Sequence, residues 1–552
     1  MATFHWGRRR ESRWQGQDDV ADDAEFARST ELTDLRQGTD LRDRVWSAAV
    51  SIAAAPQPLL ALSLGLGAFL RLWQLNALGY NSDEAVYAGQ AAGLINDPDL
   101  TKFFPIIRAH PMLFQFILAL VFHFGVNDLA GRVASVVIGL LTVVLVYQIG
   151  KVLYGEWVGA VAALFMSLMP YHVVVTRQVL LDGPMTCCAT LTLYSLARFS
   201  ATGRPAWLYA TGASLGMTFL AKETGFILIG AIYIFLAISS EVRVRLRDLI
   251  GSGIVMMGIV ISFPVSLKLA GGGASSKAQG YLVWQLLRRP NHTWEFYPTT
   301  VPWAVGPLVI GAALLGLWLL RRERSWRERL LLAWILVPVG FFQMWPVKGF
   351  QYLLPAAPAV AILAARMLVR WTPRWRRTFV RARWGHLLRP LAVAVIALTL
   401  FLPSWDRVQT VNADQFLAGS GGVPGGREAG EWISTHVPEG AVFLTVGPSM
   451  ANIIQFYGHR QAYGVSVSPN PLKRNPSYQA IVNPDQKIRT GELQYLVFDS
   501  FSAARSPFFG QSLLKYAQRY HGVVVHTEYV TLKRPDGTLQ QKPVIVIYQV
   551  RP

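Results

Sequence analysis

LAGRVASVVIGLLTVVLVYQIG, residues 129–150, is an apolar run of 22 residues. About 20 apolar residues in a helix cross a hydrocarbon layer about 30 Å thick, and a helix satisfies its own backbone polar groups where no water is present. Comparable runs lie on both sides of it, at 58–76, 157–175, 183–199, 206–221, 225–239, 249–268, 303–320, 328–346, 351–369 and 386–404. The composition agrees: 52% of the 552 residues are hydrophobic, only 15% are charged, and the mean hydropathy is +0.31. An ordinary soluble domain carries about 25% charged residues. The expected architecture is a polytopic α-helical membrane protein of about eleven spans.

The formal net charge is +19. In a soluble chain that excess would suggest nucleic acid. Here the arginines gather in the joints between apolar runs, which marks the cytoplasmic side instead, and no nucleic-acid partner is expected. EVRVRLRD at 241–248, RRERSWRER at 321–329 and the seven arginines from Arg370 to Arg389 are the cytoplasmic joints. Counting crossings from them places Asn127, the Arg177–Asp182 joint, Lys222, the loop 270–302 and Lys348 outside. Counting forward from a cytoplasmic N-terminus places Asp83 outside too. The two counts agree if 85–125 is an external loop, and its apolar run Met112–Gly125 has the length of an interfacial or re-entrant helix.

Residues 1–47 mix both signs of charge without an apolar run, which predicts a disordered cytoplasmic tail. The first span reads as an uncleaved anchor. The membrane domain is expected over 48–406, with interfacial helices in the external loop 77–128. The Gly-rich stretch within 407–426 reads as a linker. Beyond it, AVFLTV (441–446), LQYLVFDS (493–500), GVVVHTEYV (522–530) and PVIVIYQV (543–550) read as strands, the last two forming a hairpin through RPDG. Helical patterns near 427–436, 450–458 and 508–520 complete a small C-terminal external α/β domain over 427–552, suited to substrate binding or partner docking. The only cysteines, Cys187 and Cys188, are adjacent in an apolar run and read as packing residues.

Ionisable residues collect at the external ends of the runs, where burial would be costly without a purpose. Asp83 and Glu84 stand in NSDEAVYAG, Arg108 and His110 in IIRAHPM, Arg177 and Asp182 in TRQVLLDG, Lys222 and Glu223 in AKETG, and Lys348 and Tyr352 in VKGFQYLLP. A carboxylate there can take the proton of an acceptor hydroxyl, and cations can hold a leaving phosphate. Each has a plainer reading. Asp-Glu after a span is also a helix N-cap, Arg177 and Asp182 also suit an interfacial ion pair, Lys222 also suits snorkelling, and His110 before Pro111 also suits a turn.

Taken in order, NSDEAVYAG, AHPMLF, SLMPYHVVVTRQVLLDG, FLAKETG and KGFQYLLPAAP resemble the GT-C class of membrane glycosyltransferases, in its protein O-mannosyltransferase and aminoarabinose-transferase branch (glycosyltransferase family 39). The resemblance covers about residues 58–370. It implies a GT-C fold and an inverting transfer from a polyprenyl-phosphate sugar to an acceptor hydroxyl on a lipid, a glycan or a protein, at the outer face of a bacterial plasma membrane. It makes Asp83 the catalytic base with Glu84 its acidic neighbour, and Asp182 a second acidic position that orients substrate or a metal. Arg108, His110, Arg177, Lys222, Lys348 and Tyr352 fall to substrate and phosphate binding. No metal-ligand set is assigned, and whether a divalent metal takes part is left open. The sequence departs from the family at AHPMLF, where Met112 replaces the second proline, and around NSDEAVY. Two other readings stand beside this one: a flippase or transporter for lipid-linked saccharide, which predicts midplane charges and internal repeats, and a non-catalytic membrane scaffold.

Overall fold

The computed structural model describes residues 55–105, 110–269, 280–370 apart from 282, 286, 287, 289 and 324, 388–409, 423–475, 478–533 and 538–552. The expected tail 1–47, Arg108, the RPDG turn and most of the expected linker lie outside the described residues.

The helical part runs α1 (Pro56–Leu72), α2 (Ser82–Leu94), α3 (Leu113–Phe122), α4 (Asp128–Tyr154), α5 (Glu156–Leu168), α6 (Pro170–Thr176), α7 (Asp182–Thr202), α8 (Pro205–Ala221), α9 (Ile227–Ile238), α10 (Leu246–Val260), α11 (Ser262–Leu269), α12 (Phe296–Val305), α13 (Pro307–Leu319), α14 (Trp326–Met344), α15 (Ala357–Arg370) and α16 (Leu388–Arg407). Helix falls on every segment expected to span. Among the described residues, four helices are long and apolar enough to cross a membrane, or up to six if each of two bent pairs is one span.

Those two pairs differ from the straight spans expected at 157–175 and 303–320. α5 and α6 meet at 61°, α12 and α13 at 93°. Both breaks fall at a proline, Pro170 and Pro307, which removes a helix donor and clashes with the preceding turn. Arg71 stitches the first break. It donates to Ser167 O at 2.9 Å and to Thr176 Oγ1 at 2.9 Å, and its Nη2 meets His172 Nδ1 at 2.8 Å, so groups on both sides of the break have partners. α5 is buried from Val158 to Leu168 and forms the centre of the bundle. It crosses α4 at a pair of glycines, where a Cβ on Gly159 would stand 2.4 Å from Tyr147 O.

α3 buries Phe114 and Leu118 and exposes Phe116 and Leu120, the two-faced pattern of a helix lying at an interface.

The C-terminal part adds α17 (Gly426–His436), β1 (Val442–Thr445), α18 (Pro448–Ile453), β2 (Gln461–Gly464), α19 (Pro484–Arg489), β3 (Tyr495–Asp499), α20 (Ser500–Arg505), α21 (Pro507–Arg519), β4 (Val523–Lys533) and β5 (Leu539–Gln549). The sheet order is β2-β1-β3-β5-β4. β1 is parallel to β2 and β3, and β5 is antiparallel to β3 and β4. β2, only four residues long, shows no alternation in sequence and was not expected. Successive residues feed opposite faces: Phe443 packs with Ile433 and Met450 on one side, Leu444 with Ile488 and Leu513 on the other. Residues Leu59–Pro552 form one compact unit, so this sheet and the helices pack together.

Candidate active site

The site begins at a helix start. Asn81 caps α2, its side chain accepting from the amides of Asp83 and Glu84 at 2.9 and 3.0 Å, while Glu84 Oε2 accepts from Asn81 N at 3.0 Å. This capping box fixes the first turn. Adjacent helical residues diverge by about 100°, so the two carboxylates part. Asp83 is half-buried and lines a cavity of about 990 Å³.

Glu84 turns the other way, and its expected place beside the reacting groups needs correction. It is 1% exposed and accepts from Arg132 Nε at 2.9 Å, Arg132 Nη2 at 2.8 Å and Val179 N at 3.0 Å, besides Asn81. It does not line the cavity. Its carboxylate anchors α2 to α4.

Arg177 also departs from expectation. Its Nη1 donates to the carbonyls of Leu70 and Arg71 at 2.6 and 3.0 Å, closing the C-terminal end of α1. It is absent from the cavity lining and makes no pair with Asp182. Asp182 instead accepts from Lys222 Nζ through both oxygens, at 2.8 and 2.9 Å, with both residues buried. Among the described residues no group of three His, Cys, Asp or Glu side chains is placed to hold a metal ion.

Lys222 reaches the cavity and stands 4.8 Å from the centre of the Tyr352 ring. His110 Nδ1 pairs with Glu223 Oε2 at 2.8 Å, and its Nε2 faces the Tyr281 hydroxyl at 3.4 Å. Lys348 is 5% exposed and donates to the carbonyls of Gln343 and Trp345 at the end of α14. Its backbone is clasped by Asn291, which donates to Lys348 O and accepts from Lys348 N, both at 2.8 Å. Asp83, His110, Lys222, Lys348 and Tyr352 thus share one cavity.

Sequence reasoning missed part of the lining. Arg288, set over the Trp284 ring at 4.8 Å, precedes α12, and Lys473, Arg474 and Arg505 come from the C-terminal part. None of these four belongs to a cluster of Lys and Arg at an apolar joint: in the sequence Arg288 and Arg289 form a pair, Lys473 and Arg474 another, and Arg505 stands alone. The lining also has apolar side chains, Phe226, Ile227, Phe296, Phe341 and Trp345 of the helical bundle.

Burial pushes the Asp83 carboxyl above its ordinary range, Lys222 and His110 pull it down, and Asp182 and Glu84 push it up again. A base works deprotonated, so activity rises with pH as the group ionises. The acid limb of a kcat/KM profile is therefore expected above the value near 3.9 of an exposed aspartate. A limb at or below that value would remove Asp83 as the titrating group.

Residues 109–267 match the family described as dolichyl-phosphate-mannose-protein mannosyltransferase. The undecaprenyl phosphate-alpha-4-amino-4-deoxy-L-arabinose arabinosyl transferase 1 of Pseudomonas fluorescens strain Pf-5 is 30% identical over 270 residues, 45% of this chain and 47% of that protein. The matched stretches span about half or less of the length of the curated relatives. Among solved structures, ArnT from Cupriavidus metallidurans in its apo state superposes with a TM-score of 0.66 at 15% identity, over 89% of this chain and 98% of that one. The archaeal oligosaccharyltransferase AglB from Archaeoglobus fulgidus, in complex with an inhibitory peptide and a dolichol-phosphate, does so with a TM-score of 0.53 at 13% identity, over 88% and 74%. The likeness to GT-C membrane glycosyltransferases of the family 39 kind is borne out, and the fold is the one these structures share.

Proposed function

We propose that this chain is an inverting glycosyltransferase that moves a sugar from a polyprenyl-phosphate carrier to an acceptor hydroxyl at the external face of a membrane. The observation that carries the reading is the meeting of Asp83 with Lys222, Arg288, Lys348, Arg474 and Arg505 around one cavity that Phe226, Phe341 and Trp345 also line. A carrier of this class has the matching halves: a phosphodiester for the cations and an isoprenoid for Phe226, Phe341 and Trp345. The curated relatives add weight, since the Pseudomonas protein is named for an undecaprenyl-phosphate donor. One ArnT structure was solved with undecaprenyl phosphate bound.

In the proposed step, Asp83 takes the proton of the acceptor hydroxyl as that oxygen forms a bond to the anomeric carbon. The bond from that carbon to the phosphate oxygen breaks on the opposite face, and its electron pair leaves with the polyprenyl phosphate. Configuration inverts. The cations stabilise the charge that grows on the departing phosphate. The Asp182–Lys222 pair holds one ammonium at the cavity wall, and the His110–Glu223 pair orders the adjoining side. The arginine-rich joints, which mark a cytoplasmic side, support an external position for the cavity.

The test is transfer by purified protein in liposomes, with radiolabelled undecaprenyl-phosphate hexoses as donors and host membrane fractions as acceptors. Label appearing in the acceptor fraction with release of undecaprenyl phosphate supports the reading. Movement of intact donor across the bilayer without cleavage would support the flippase reading instead. In the same assay Arg288→Ala is expected to weaken donor use about tenfold or more, the scale of one lost charge-assisted hydrogen bond of about 1.5–3 kcal/mol. Unchanged kcat/KM for donor would remove Arg288 from phosphate binding.

A further inference from the structure

The residues just ahead of Asp83 are gripped by a segment more than 350 positions away in the chain. Asn452 Nδ2 donates to Ser82 Oγ at 2.9 Å, with both side chains buried. Tyr80 N donates to the Tyr457 hydroxyl at 2.6 Å, and that hydroxyl donates onward to Asp128 Oδ2. Phe456 meets the Tyr80 ring edge-on with centroids 5.3 Å apart. Asp128 is further tied by Arg427 at 3.2 Å, which also donates to Asn76 O at 3.0 Å.

The packing leaves little room for adjustment. A Cβ on Gly79 would come within 2.5 Å of Arg427 Cβ, and one on Gly131 within 2.3 Å of the Tyr80 hydroxyl. Residues Ile454–Gly458 form a π-helical turn, a widened geometry that recurs at functional sites. Here it presents Phe456 and Tyr457 to the strand of chain entering α2.

We infer that Tyr457 and Asn452 are positioning residues for Asp83: the C-terminal segment 448–458 clamps Tyr80 and Ser82, so that the carboxylate of the next residue faces the cavity. The inference rests on the reading of Asp83 as base. Neither residue lines the cavity, so neither touches donor or acceptor there. Their loss lets the start of α2 shift, and a displacement of about 1 Å at a reacting group costs up to about a hundredfold in rate. Donor affinity depends on cations carried by other segments and stays as it was.

The test compares Tyr457→Phe and Asn452→Ala in the full-length protein, using undecaprenyl-phosphate hexose as probe. Each is expected to lower kcat about tenfold with donor KM within about twofold. In an Asp83→Asn background the same substitutions should cost nothing more, because there is no base left to misplace. An equal fold-loss in both backgrounds, or a change confined to KM, overturns the inference. Amide hydrogen exchange over residues 79–90 gives a readout independent of activity. Tyr457→Phe should speed exchange there without lowering the melting temperature, and unchanged exchange overturns the clamp. If Asp83→Asn itself keeps the wild-type rate, it is the base assignment that fails, and the exchange result still decides the clamp.

Discussion

Asp83→Asn is expected to lower sugar transfer at least about a hundredfold, the lower end of what a positioned general base contributes and about 2.7 kcal/mol of transition-state stabilisation. The substitution keeps the shape of the side chain and the amide that Asn81 caps at 2.9 Å, so α2 still starts where it did. Asparagine cannot take the acceptor proton. The loss should fall on kcat, because the cations proposed to hold the phosphate, among them Lys222, Arg288 and Lys348, line the cavity from other segments. Removing a negative charge near the donor phosphate is expected to leave donor KM unchanged or slightly lower. Single-turnover transfer with labelled donor measures this directly. A variant within about threefold of wild type would end the assignment.

Arg132→Met is expected to unfold the end of the bundle around the start of α2, with a cost of about 3–5 kcal/mol, the range for leaving one member of a buried ion pair alone. Arg132 spends all its donors within this region. Two go to Glu84 at 2.9 and 2.8 Å, and the others go to the carbonyls of Leu75, Leu78 and Gly79 at 2.9, 2.6 and 2.8 Å. Methionine fills much of the volume and replaces none of these bonds. Glu84 would then be a buried carboxylate without a counter-ion, and the chain between α1 and α2 would lose its ties. Thermal unfolding in detergent should show a fall of several degrees and a lower yield of monodisperse protein. Adding Glu84→Gln should restore part of the loss, because the uncompensated charge is gone while the amide oxygen still accepts from one of Asn81 N and Val179 N. A single variant that melts like wild type, or a double variant no better than the single, would contradict this account.

The pair Asp83 and Glu84 shows how far sequence reasoning carries. Two adjacent acids after an apolar run announce a site, and the cap signal of Asn81 with Glu84 three residues on is readable as well. Which acid faces the cavity is not readable, because it depends on Arg132, the one charge inside the apolar run 129–150. The same holds for Arg177 and Lys222. Both stand at span ends with similar surroundings, yet one closes α1 and the other pairs with Asp182 40 residues earlier in the chain. The breaks at Pro170 and Pro307 had a local signal in the prolines themselves, outweighed in the reading by the continuous apolar runs around them. The C-terminal contribution to the cavity had none, since Arg474 and Arg505 carry no pattern that sets them apart from solvated arginines.

The amino-acid order by itself determined the helical membrane character, the segments that become helix and most of the strands, because apolar run length and alternation are local properties that act through the solvent each segment prefers. It also determined that charge collects in the joints after the apolar runs. Only the tertiary structure decided which of those charges share a cavity, because a helix turns by about 100° per residue and sends neighbours to different partners. It likewise decided that a segment near residue 455 grips the chain near residue 81, a contact made by packing between surfaces whose complementarity no local pattern records.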